Sequence, residues 1–246
     1  MKNISLGLVI LPLLIISCTN DTIDTTYAFD SKASGKKSEK KESLLHNLTP
    51  ENPANIYDYA GKLHNAFLDL YLSGNYQHNT IAQISKRIQK IANGNSDGTL
   101  LKLQPMVSKN LEEIQKIVKN PEAALQDAIS NASMADEAKN SLFNFMNAAL
   151  FWENEEYEAI YQSIISYESS VINNDEFSDE DKQIILTVSS ITRYSLYYNK
   201  KRKDEDWETS VGNRVGAVGG DVKSSFSTIS RSLIAGIMIN NLVANR

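Results

Sequence analysis

The chain has 246 residues, 41% of them hydrophobic, with 25 Lys and Arg against 30 Asp and Glu for a net charge of −5. That balance excludes the concentrated basic face with which proteins hold a phosphate backbone, and a single cysteine excludes an intrachain disulfide and a multi-cysteine metal site. Stability is left to an apolar core that includes 11 Tyr and 7 Phe, in a chain long enough for one domain or two small ones.

The N-terminus has one early charge, Lys2, then a largely apolar run from Ile4 to Ile16, then Ser17 and Cys18. These are the parts of a secretory signal, and the run is shorter than the about 20 residues of a permanent span. Residues 1–17 are therefore expected to be a signal peptide. The residues that close it, Ile15-Ile16-Ser17-Cys18, resemble the lipobox of bacterial lipoproteins. The resemblance implies that Cys18 is thioether-linked to diacylglycerol, becomes the mature N-terminus and is N-acylated, for example with palmitate. Thr19 follows in place of the Asp that retains some lipoproteins at the inner membrane, so the resemblance points to the outer membrane of the cell envelope.

Residues 18–52 are expected to be the lipidated cysteine and a flexible tether. The segment is rich in Thr, Asp, Ser, Lys and Glu, with Lys36-Lys37-Ser38-Glu39-Lys40-Lys41-Glu42 at its middle, and buries too little apolar surface to offset the entropy of ordering it. As a coil it would span about 30 Å. An all-helical domain is expected over residues 53–246. Asn52-Pro53 offers a cap and a first helical residue, and Ile56, Tyr59, Ala60, Leu63, Phe67, Leu70 and Tyr71 recur behind it at helical spacing. Further helices are predicted at about 80–92, 104–119, 121–129, 135–151 and 155–172. Ser178-Asp179-Glu180-Asp181 caps a seventh helix that ends near Lys200-Lys201-Arg202-Lys203. Acids follow at once in Asp204-Glu205-Asp206, which predicts two abutting helix ends rather than a basic binding patch.

The tail differs in composition. Gly212, Gly216, Gly219 and Gly220 predict a hinge near residues 211–221, and Val222, Phe226, Ile229, Leu233 and Ile237 predict a C-terminal helix over residues 222–244. Arg214, Asp221, Lys223 and Arg231 interrupt every window long enough to span a bilayer, so this helix is expected to lie centrally in the bundle. No segment alternates like a strand. The fold class expected is all-α, an irregular multi-helix bundle or array of helical hairpins with about eight helices.

Three histidines, His46, His64 and His78, are the whole imidazole supply. None has a metal-ligand partner at helical spacing, and no cofactor is expected. The loop at Asn93, Asn95 and Asp97 follows an EF-hand spacing but has Asn at its first position and Gln104 where a bidentate Glu should close it, so calcium binding is expected to be poor. On a helix Tyr57, Gly61 and His64 share a side with Asn65 adjoining, and Gly61 costs up to about 1 kcal/mol relative to Ala, which suggests a close approach there. The stretch from Asn55 to Asn65 and the later Ser189-Ser190-Ile191-Thr192-Arg193-Tyr194-Ser195 are similar to segments of uncharacterised bacterial lipoproteins with Gly-rich C-terminal tails. That resemblance brings no assigned activity but implies that the two segments are paired. Tyr57, Gly61, His64, Asn65, Arg193 and Tyr194 are the candidate binding residues. The function expected is a lipid-anchored, non-catalytic interaction module, attached to the membrane through Cys18 and open to a protein partner in the envelope. The alternatives are a membrane-active or oligomerising Gly-rich tail and an enzyme centred on His64.

Overall fold

The computed structural model describes residues 48–74, 76–94, 108–201, 207–218 and 225–244, all within the unit Glu42–Arg246. The expected signal peptide, the lipobox at Cys18, most of the tether, the calcium-like loop from 95 onward, the charge reversal at 202–206 and Gly219-Gly220 lie outside the described residues. Within them are nine α-helices and no strand, as the periodicity predicts. In chain order these are α1 (Tyr59–Leu72), α2 (Ile81–Gly94), α3 (Ser108–Lys119), α4 (Pro121–Ser130), α5 (Asp136–Leu150), α6 (Tyr157–Ile172), α7 (Asp179–Lys201), α8 (Trp207–Val218) and α9 (Ser225–Ala244).

Two predicted boundaries follow from capping chemistry. Asn120 accepts a bond from the Ala123 amide at 3.2 Å while Pro121 opens α4, which satisfies one of the orphan donors of the first turn. At α7 the Ser178 hydroxyl accepts from the Asp181 amide at 3.1 Å and the Asp181 carboxylate accepts from the Ser178 amide at 3.2 Å. This reciprocal box also draws α5 in, because Asp181 accepts from the Ala135 amide.

The first helix begins at Tyr59 rather than Pro53. Asn52 accepts from its neighbour Ala54 and Asn55 from Tyr57, and such local side-chain bonds give the backbone an alternative to the helix. Their amide nitrogens reach across the fold, Asn52 to the Glu168 carboxylate and Asn55 to the Leu186 carbonyl at 3.0 Å. Ile56, expected inward, is 76% exposed. The chain also joins the domain before the expected end of the tether, since Leu48 packs against the core and Pro50 and Asn52 are buried.

The expected hinge near 211–221 is helical as far as Val218, with Gly212 and Gly216 inside α8. The reason is a close helix crossing. A Cβ on Gly216 would stand 2.7 Å from the Ser232 Cα, and one on Gly212 would stand 3.0 Å from the Gly236 Cα. Small residues spaced one turn apart let the two backbones approach. α8 and α9 form a pair that α1, α2, α3, α4 and α7 surround. Every residue from Thr228 to Ile237 is buried, as is every residue from Ile184 to Leu196 of α7. A helix buried on all sides is the expected state for an element with little exposed polar face, yet these helices also bury Ser, Thr, Asn and Arg side chains.

Candidate functional site

The candidate residues meet where α1 crosses α7. A Cβ on Gly61 would come 2.6 Å from both the carbonyl and the hydroxyl oxygen of Ser190, so the glycine permits the contact that its helix-weakening cost suggested. The Gly61 amide donates to the Ser190 hydroxyl at 3.1 Å, and that hydroxyl donates to the Asp58 carbonyl at 3.0 Å. One turn on, the Asn65 amide nitrogen donates to the Tyr194 carbonyl at 3.2 Å. Gly61, Asn65, Arg193 and Tyr194 are therefore brought together, as the pairing of their segments implied.

Arg193 is the centre of the cluster and is fully buried. Its Nη2 donates to Asp58 Oδ1 at 2.6 Å and to the two Glu168 oxygens at 3.1 and 3.2 Å, while Nη1 donates to the Pro50 carbonyl. Burial pulls the guanidinium pKa down, but Glu168 and Asp58 outweigh it and leave the pKa above its usual value. The carboxylates have further donors of their own. Glu168 accepts from Asn52 and from the Ser189 hydroxyl at 2.8 Å, and Asp58 accepts from the Tyr194 phenol at 3.2 Å. Burial, with Asp58 beside it, pushes the Tyr194 phenol up. Charge-assisted bonds to each ion are what allow ions to be buried at all.

His64 is buried too, but it turns toward α8. Its Nδ1 lies 3.4 Å from Asn65 Oδ1, its Nε2 has no hydrogen-bond partner, and the Asn213 side chain of α8 is close enough to act on the ring. Burial lowers its pKa to about 4, against smaller opposing contributions from the two Asn side chains. The ring is neutral at physiological pH. Tyr57 is half-buried in the turn before α1, and its side chain takes no part in the bonds around Arg193. Its phenol is pushed up by burial and by Asp179.

Sequence reasoning missed Asp58, Glu168, Asn52, Ser189 and Ser190 as members of this cluster. Glu168 carried a readable signal. It falls on the buried stripe Ile160, Ile164 and Val171 of α6, and a carboxylate in an apolar stripe requires a cation opposite. The arrangement provides donors and acceptors that already bond one another, with Arg193 closed off from solvent. Among the described residues no group of three or more His, Cys, Asp and Glu side chains is placed to hold a metal ion. None of the described helices is long and apolar enough to cross a membrane. No family model, curated protein or solved structure matches the chain.

Proposed function

We propose that this is a lipid-anchored cell-envelope protein, held in the outer membrane, whose helical domain is a non-catalytic binding or interaction module. The anchor rests on the sequence: a lone cysteine stands where an apolar run after one Lys ends. The non-catalytic half is carried by one observation, the engagement of both terminal nitrogens of Arg193 by Pro50, Asp58 and Glu168. A catalytic group has to reach a proton or a reacting atom of its substrate, and this guanidinium is fully buried among its own partners. His64, neutral and buried, supports the same reading. The small-residue face of the tail is used within the chain, between α8 and α9, which favours a core role for it over membrane activity.

Cells grown with a radiolabelled or alkyne-tagged palmitate test the anchor. Wild-type protein is expected to take up label and enter the detergent phase, and the Cys18→Ala variant to do neither. Label retained by the variant would overturn the assignment. Cross-linking in intact cells followed by purification is expected to recover an envelope protein through the helical domain. Turnover of a substrate that is lost on His64→Ala while folding is kept would overturn the non-catalytic reading.

A further inference from the structure

Away from the Arg193 cluster, the start of α2, one side of α3 and the end of α9 frame an open groove of about 530 Å³. That lies in the range of about 300–1,000 Å³ seen for small-molecule sites. Its walls are mainly apolar, with Ile81 from α2, Leu111 and Val118 from α3, and Met238 and Leu242 from α9. Leu242 is 46% exposed at the end of a helix that is otherwise largely buried, so the groove leaves apolar surface in water. Removing that surface from water is favourable for whatever fills it.

The groove is polarised along α3. Lys119, the last residue of the helix and the one formal charge in the lining, marks one end, and Leu111 lies eight residues back. At about 1.5 Å per residue that is about 12 Å of groove. Thr80 and Gln115 are the other polar side chains, and the Thr80 hydroxyl is already engaged with Gln83 in capping α2. A sugar or nucleoside would press many polar groups against apolar walls with few partners, which is costly. A peptide helix or a second copy would bring backbone and polar surface to the same walls. On a chain of net charge −5, a single cation at one end of an apolar trough complements an anionic head on one unbranched hydrocarbon chain.

We propose that this groove binds a single-chain fatty carboxylate, with its chain along Leu111, Val118, Ile81 and Met238 and its carboxylate against the Lys119 ammonium. Lys119 is exposed, so the ion pair sets orientation more than affinity, and the chain supplies the affinity.

The test uses the full chain carrying Cys18→Ala in detergent-free buffer, with cis-parinaric acid as fluorescent probe and saturated carboxylates from octanoate to tetradecanoate as competitors. Saturable one-site binding is expected, with competitor affinity rising about two- to fourfold per added methylene until the groove is filled. Val118→Trp should abolish binding by filling the groove, and Leu242→Asp, at a half-exposed position near the end of α9, should weaken it at least tenfold. Lys119→Glu should weaken dodecanoate about threefold or more and strengthen dodecylamine. Absence of saturable binding would overturn the proposal, as would binding independent of chain length or binding kept in both groove variants. A concentration-dependent dimer that Leu242→Asp dissolves, without carboxylate binding, would assign the groove to a second copy and equally overturn it.

Discussion

Arg193 and His64 represent two ways of burying a titratable side chain, one kept charged by partners and one kept neutral by its surroundings. Removing Arg193 would leave Glu168, fully buried, and Asp58, largely buried, to face each other without their cation. Arg193→Met is therefore expected to cost about 3–5 kcal/mol in urea denaturation, and Arg193→Met combined with Glu168→Gln to cost less than the single change. A double variant no better than the single one would mean that the pair does not act as a unit. For His64 the folded pKa of about 4 lies below the unfolded value of about 6.5. The unfolded chain then binds more protons, so the stabilising contribution is present above about pH 6.5 and is lost as pH falls from there to about 4. Wild-type stability should drop by about 2–3 kcal/mol from this residue between pH 7 and pH 4.5, and His64→Gln should remove that part of the slope. Equal pH slopes in the two proteins would show that the ring is not buried neutral. His64 and Gly61 were legible in the sequence because a glycine inside a helix is costly. Glu168 carried its signal only in the apolar stripe, since a charged residue in a periodic helix is by default read as solvated, and Asp58 sits in the turn before α1, where no local pattern marks its partner.

At the scale of elements, the sequence locates helices well where the cap chemistry is local, as at Asn120 and Ser178, and poorly where distant groups compete. α1 starts late because Asn52 and Asn55 bond to α6 and α7 as well as to their own backbone, and no local pattern encodes those partners. The hinge expected at Gly212 and Gly216 fails for a related reason. Glycine weakens an isolated helix, but here its missing side chain is filled by α9. A pair of substitutions separates the two roles. In Gly216→Ala the new methyl meets the backbone of Arg231 and Ser232, so a backbone has to shift, and a loss of about 1–3 kcal/mol is expected. In Gly94→Ala nothing stands within 4 Å of the new methyl, and stability should be unchanged or rise by up to about 1 kcal/mol. Thermal or urea melts of the two variants check this, and equal effects at both sites would remove the close crossing from the account.

For the whole molecule, the order of burial predicts the order of opening. α7 and the α8–α9 pair are enclosed by the remaining helices, so their amides cannot meet water until most of the domain has come apart. By contrast the segment from Leu48 to Asp58 leaves Pro53, Ala54 and Ile56 exposed and is fastened mainly by a few polar bonds, each worth about 0.5–1.5 kcal/mol net or about 1.5–3 where one partner is charged. Hydrogen exchange followed by mass spectrometry should therefore find the slowest amides in Ile184–Leu196 and Thr228–Ile237, with opening free energies equal to the global value from urea. The 48–58 segment should exchange through a smaller local opening, and Arg193→Met should speed it further without changing the rank of α9. Earlier exchange of α8 and α9 than of α4 and α5 would contradict the central place of the glycine-packed pair, and with it the reading of the tail as core.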